Sequence, residues 1–193
     1  MNTLESLGLK EKWLYEVIIS SYDHQVPHAA PFGMRVKNFE TITLEIYKSS
    51  NTLKNILAGK EFALNAVDDP AIIYNALYSK EKMYFASAEM INAPVLLHSS
   101  SSIEVKLKTI VEKKNRFLLE AEVVHINIRN NGEFTNRAKS LVLESLIVST
   151  RKKLLSKKKL ESLLKENYRV IKKVAPGSKY EALMHSLLID CLL

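Results

Sequence analysis

The chain has 193 residues, 47% apolar and 25% charged, with a net charge of +7, which suits one ordinary globular domain with room for a small appendage. Its single cysteine, Cys191, excludes an internal disulfide and fits a reducing compartment. MNTLESLGLKEK carries charges where a signal peptide would be apolar, and the longest apolar run, LVLESLIVS, is broken by Glu144, far short of the ~20 residues of a membrane span; the expectation is a cytoplasmic protein with no membrane partner.

Taken in chain order, the first two-thirds read as strands. Trp13–Ser20 is apolar and β-branched. His28–Met34, HAAPFGM, reads as a loop of small residues leading into a strand over Phe32–Lys37. In Thr41–Tyr47, Ile42, Leu44 and Ile46 alternate with Thr43 and Glu45, the period of a strand with one buried face. A short helix over Thr52–Ala58 follows the capping types Ser49, Ser50 and Asn51 and closes at Gly59. Glu61–Val67 is a short apolar strand, and Pro70–Tyr78 is a helix with Asp69 as N-cap and Pro70 at its first position. Ile103–Val111 alternates; Phe117–Ile128 shifts its apolar phase at Val123-Val124, the mark of a bulge or a barrel corner.

The last third is helical. Asn130-Asn131-Gly132 is a turn. Helices are expected over Phe134–Leu154, Lys157–Val174 and Ser178–Leu192, with Pro176-Gly177 separating the last two. Residues 141–148 are apolar nearly all round, which predicts a buried central helix. Leu160, Leu163, Leu164, Tyr168 and Ile171 form one stripe, and Tyr180, Leu183, Met184, Leu187 and Cys191 another. Many strands with few intervening helices suggest an antiparallel barrel rather than a doubly wound sheet. The expected fold is mainly β with α: a barrel over 1–129, and a helical region over 130–193 packed on it.

Much familiar chemistry is missing. There is no Walker loop, GxGxxG, HExxH, CxxC or G-x-S-x-G pattern. Asp23, His24 and His28 share a neighbourhood without a third ligand on a common scaffold, so no metal is expected. Two segments stand out. HAAPFG has no side chain in its middle suited to acid–base work, which is either a plain turn or a place where something approaches the backbone closely. YKSSNTLKNI leaves a strand and opens a helix, setting hydroxyls, an amide and Lys48 or Lys54 beside free N–H groups. That is either a generously capped helix or a cradle for a phosphate.

The order and spacing of these segments resemble the FMN-binding split-barrel proteins of flavin-reductase type. More narrowly, they resemble an uncharacterised, mainly archaeal family of split-barrel proteins with a C-terminal helical extension. The resemblance rests on His28–Gly33, Ser50–Ile56 and Phe62–Pro70, and on Asn136-Arg137-Ala138, Glu144 and Pro176–Ala182 in the tail. The family's loop usually begins with Asn where this chain has His28, a group that titrates near neutral pH. The resemblance implies a split antiparallel β-barrel plus a C-terminal helical bundle. It implies FMN bound by His28, by the backbone of Ala29, Ala30, Pro31, Phe32 and Gly33 facing the ring, and by Ser49, Ser50, Thr52 and Asn55 at the phosphate, with Lys48 or Lys54 adding charge. Asn65 and Val67 would line the ring's polar edge, and Arg35 would be either a phosphate ligand or a surface charge, the latter favoured. It further implies a homodimer with the flavin near the interface, and a nicotinamide or other small-molecule electron donor. No catalytic residue is assigned.

Residues 151–173 hold ten Lys/Arg and two Glu, leaving about −1 on the other 170 residues. This segment lacks exposed aromatics between its cations, so a solvated helix face is favoured and nucleic acid is not the expected partner. Three readings stand: an FMN-dependent oxidoreductase, a flavin carrier or sensor without turnover, and a basic nucleic-acid-binding module.

Overall fold

Alternating apolar residues on six long strands have one common solution here, a closed barrel. A computed structural model of the chain describes residues 3–129, 134–152 and 154–192. The strands are β1 (Leu14–Asp23), β2 (Val26–Asn38), β3 (Thr41–Tyr47), β4 (Glu61–Ala66), β7 (Ser101–Glu112) and β8 (Arg116–Ile128), in the spatial order β1-β2-β3-β8-β7-β4. β4 closes the ring by pairing antiparallel with β1, Ile18 opposite Asn65 and Ser20 opposite Ala63. A two-stranded ribbon, β5 (Phe85–Ser87) with β6 (Pro94–Leu96), lies outside the barrel. Helix α1 (Asn51–Gly59) follows β3, and α2 (Pro70–Tyr78) follows β4.

The barrel interior is apolar. On β3 the alternation holds residue by residue: Ile42, Leu44 and Ile46 are buried, while Glu45 and Tyr47 face water. Their neighbours in register are Ala121, Leu119 and Phe117 of β8, and Met34 and Val36 of β2. β8 carries the bulge signalled by its phase shift. Glu104 pairs with His125 but Val105 with Val123, so Val124 is the extra residue. A second cluster outside the barrel joins Ile18, Ala29, Val67, Ala76 and Leu96 beneath α2.

The structure departs from the sequence reading in definite places. β1 runs on to Asp23, and His28–Gly33 is not a loop but part of β2. The cause is the hairpin turn at His24-Gln25, with φ of 47° and 71°, the left-handed pair that joins two strands directly. Gly59 is the last residue of α1, and Lys60 takes the left-handed closing position at φ 60°. The ribbon β5–β6 was not anticipated, since strands of three residues carry no readable period. The turn expected at Asn130–Gly132 lies outside the described residues.

The chain forms two compact units: residues to Glu11 with Tyr15–Thr135, and Lys12–Leu14 with Asn136 onward. The second holds α3 (Ala138–Thr150), α4 (Lys157–Val174) and α5 (Lys179–Leu192). α3 begins later than expected. Asn136, just before it, caps Ala138 N–H and donates to the Leu14 and Val174 carbonyls. α3 is not the buried centre predicted: Ala138, Val142 and Ser145 are buried, but Leu143 is 58% exposed and Leu146 and Ile147 are open as well. Leu163 and Leu183 of the two expected stripes also face water, while Leu160, Leu164, Ile171, Met184 and Leu187 form the unit's core. The charges of α4 are partly matched along its surface, Lys165 with Glu161 at 2.5 Å and Arg169 with Glu166 at 2.6 Å. No helix among the described residues is long and apolar enough to cross a membrane.

Candidate functional site

At the corner where β1, β2 and α1 meet, Ser21, Thr52 and Asn55 are buried together with half-buried His28. β1 is an apolar strand interrupted by Ser20-Ser21, both buried. β2 pairs with β3 only from Met34 onward, with Met34 opposite Leu44. The stretch upstream of Met34 thus lies beyond that ladder, which is where Pro27 and Pro31, lacking an N–H, are tolerated in a strand. Ala30, Pro31, Phe32 and Gly33 are all half-buried there. Ala29 is buried and belongs to the cluster beneath α2. His28 and Ala30, two residues along one strand from each other, share the opposite face.

α1 starts at this corner. Its N-cap, Ser50, has the extended backbone of a cap, but its side chain makes no capping hydrogen bond among the described residues. The first turn carries no acidic side chain. Thr52, in the second helical position, is 1% exposed, and its Oγ1 lies 3.0 Å from His28 Nε2. Asn55, one turn on and 7% exposed, donates from Nδ2 to Ser21 Oγ at 3.4 Å. Burial, and next the nearby Lys80, lower the His28 pKa from its ordinary value of 6.5, against a smaller upward pull from Asp23. A cleft of about 360 Å³ opens at Asn55, lined also by Tyr22, Asp23, His24, Asn51, Lys54 and Ala58; His28 and Thr52 are not among its lining residues.

The residues singled out in the sequence therefore fall into two groups. His28 and Thr52 are in direct contact, Ala30–Gly33 continue along the same strand, and Ser49, Ser50, Lys54 and Asn55 belong to the start of α1. Lys48 turns elsewhere, to an ion pair with Glu112 and over the Phe117 ring, its Nζ 5.5 Å from the centroid. Asn65 is fully buried on β4 with its amide committed: Nδ2 donates to the Ile18 carbonyl and Ser20 Oγ, and Oδ1 accepts from Leu96 N–H. Val67 is buried in the α2 cluster, and its carbonyl accepts from Thr135 Oγ1. Sequence reasoning missed Ser21, which accepts from Asn55, and Tyr22, which lines the cleft. The signal for the first was two serines in the middle of an otherwise apolar strand. Among the described residues no group of three or more His, Cys, Asp or Glu is placed to hold a metal.

An uncapped helix start with hydroxyls and a lysine, and without a carboxylate in its first turn, has the donor set that a phosphate monoester needs. The residues present thus fit the phosphate end of a flavin mononucleotide. A six-stranded barrel with β2 leaving β3 above Met34, followed by a helical extension, is a split-barrel fold. The chain belongs to DUF447, a family of proteins of unknown function. The model of the family's N-terminal domain matches residues 15–130, and its second DUF447 model matches 136–187. Among solved structures, it is similar to an FMN-bound DUF447 protein from Methanosarcina mazei, at 24% identity and a TM-score of 0.57, covering 98% of this chain and all of that one. The 2-nitrobenzoate 2-nitroreductase of Pseudomonas fluorescens is similar at 19% identity and a TM-score of 0.52, covering 64% of this chain and 68% of its own. The styrene monooxygenase flavin reductase of Pseudomonas putida is similar at 14% identity and a TM-score of 0.52, with coverages of 61% and 82%.

Proposed function

We propose that this protein binds FMN at the corner of β1, β2 and α1 and acts as an oxidoreductase of flavin-reductase type. The observation that carries the reading is the start of α1: free N–H groups, Ser50 without a capping bond and buried Thr52, beside Lys54 and the cleft. Membership of a family with an FMN-bound relative supports it. Bound FMN would supply two-electron hydride chemistry. The chain's own part is to bind and orient. The first turn of α1 meets the phosphate charge, and Ala30–Gly33 offer a strand with little side-chain bulk for a flat ring to approach. No protein acid or base is required at that strand, which accounts for its composition.

The electron donor in this proposal is a reduced nicotinamide or another small molecule, and the working form is a homodimer with the flavin near the interface. The exposed Tyr74, Leu77 and Tyr78 of α2 give the barrel unit an apolar stripe that a second copy would cover. The test is the visible spectrum and the mass of whatever small molecule co-purifies. A protein that stays colourless after soaking in excess FMN overturns the binding reading. Anaerobic mixing of the holoprotein with reduced nicotinamide then tests turnover: bleaching of the flavin band supports a reductase, and an unchanged spectrum favours a carrier. Sedimentation of the holoprotein checks the dimer.

A further inference from the structure

The contact between His28 and Thr52 has a chemical consequence for any phosphate at α1. A threonine hydroxyl has one proton, which goes to one acceptor at a time. While His28 Nε2 presents a lone pair, 3.0 Å from Oγ1, the Thr52 proton is drawn to the imidazole and is not available to an anion. Once Nε2 carries a proton the bond reverses. The imidazole then donates to Oγ1, and the Thr52 proton is free to turn to the phosphate. If that proton makes the ring an imidazolium, a full positive charge also arrives at the positive end of the helix.

The charged groups acting on the ring are Lys80, in the 3-10 turn Lys80–Lys82 that follows α2, and Asp23 at the end of β1. Burial and Lys80 outweigh Asp23 and keep the imidazole neutral at pH 7 in the free protein. A dianion beside Thr52 reverses that balance.

We propose that His28 is a proton-coupled positioning residue for phosphate: a phosphorylated flavin is gripped with uptake of a proton at His28, and its unphosphorylated counterpart is not. This rests on the reading that the start of α1 takes the FMN phosphate. The sign follows from linkage. Binding raises the His28 pKa, so affinity gained through His28 is absent above the bound-state value. It grows as pH falls between the bound-state and free-state values, and is constant below the latter. The phosphate's own second ionisation, near pH 6, works in the opposite direction, but it does so whatever residue occupies position 28.

The experiment titrates FMN, and riboflavin in parallel, into flavin-free protein from pH 5.5 to 8.5, for the wild type and for His28→Asn, which keeps a donor toward Thr52 but cannot titrate. Flavin fluorescence quenching reads affinity. The expected result is that the wild-type affinity for FMN, relative to that of His28→Asn, rises about 3- to 10-fold from pH 8 to pH 6. The same ratio for riboflavin should stay level. The His28 ring resonances in the wild type, followed by NMR, should titrate at higher pH with FMN or inorganic phosphate than without. Equal pH slopes for the two proteins, or a His28 titration that does not move on adding FMN, overturn the proposal. If His28→Asn proves too weak to measure, the NMR titration of the wild type alone decides. Failure of the wild type to bind FMN at any pH instead overturns the binding reading itself, a separate outcome.

Discussion

Two helices of this barrel begin differently although both have nine residues and both follow a strand. α2 is closed on itself: the Asp69 carboxylate accepts from Ala71 N–H at 2.8 Å, and Pro70 removes one free donor. α1 has Ser50 at the same position with no capping bond among the described residues. Just inside it lie buried Thr52 and Asn55, bonded to His28 and Ser21 of neighbouring strands. A helix start that satisfies its own N–H groups needs nothing from outside. One that leaves them free, with no carboxylate in the first turn, suits an anion that arrives later.

The sharpest way to break this comparison is to make α1 resemble α2. Ser50→Asp supplies the missing carboxylate, so it should stabilise the helix by about 0.5–1 kcal/mol. It should also lower FMN affinity about 100-fold or more, because charge-assisted hydrogen bonds worth ~1.5–3 kcal/mol each give way to repulsion. Thermal midpoint and flavin affinity moving in opposite directions is the signature; affinity unchanged would remove the phosphate from α1. Next in size, Ala30→Leu should weaken FMN binding about 10-fold by placing a branched side chain on the face shared with His28. Equilibrium dialysis checks this, and an unchanged dissociation constant would leave HAAPFG a structural strand only. The reciprocal variant at α2, Asp69→Ala, should cost about 1 kcal/mol of stability with flavin affinity intact, read from denaturant melts and the same dialysis. Smallest is a carboxylate that meets a backbone N–H away from both helix starts. Glu61 accepts from Asn92 N–H and pairs with Lys106 at 3.0 Å, and these contacts hold its pKa below the ordinary 4.5, the backbone bond counting most. Its contribution is therefore fully present above pH 4.5 and is lost as pH falls through the depressed value. Glu61→Gln should cost no more than about 0.5 kcal/mol of stability at pH 7, read as a slightly lower thermal midpoint, and the two curves should converge in acid.

Much of the fold was readable where local signals agree with one another. Thr41–Tyr47, Pro70–Tyr78 and Lys157–Val174 have the boundaries expected from alternation, from Asp69-Pro70 and from the apolar stripe of α4. The bulge at Val124 was visible as a phase shift. HAAPFG was misread as a loop because Pro and small residues are loop signals. What makes it strand is the pairing of β2 with β1 across the hairpin turn at His24-Gln25. The apolar run 141–148 predicted burial, but local hydrophobicity does not say how many sides of a helix have neighbours, and Leu143 and Leu146 have open ones.

The candidate site divides in the same way. Thr52, Ser50 and Ala30 were singled out by residue type, since capping groups and missing bulk are properties of a short segment. That Lys48 turns to Glu112, and that the Asn65 amide is used up on Ile18, Ser20 and Leu96, depends on partners 31 to 64 positions away in the chain, and no local pattern encodes them. By itself the sequence determined a strand-rich barrel, a helical tail, and a helix start rich in hydroxyls, because periodicity and capping are local chemistry. Only the tertiary structure decided that His28 meets Thr52 and that the smallest side chains lie on the part of β2 with no ladder to β3, because those contacts exist only once the barrel has closed.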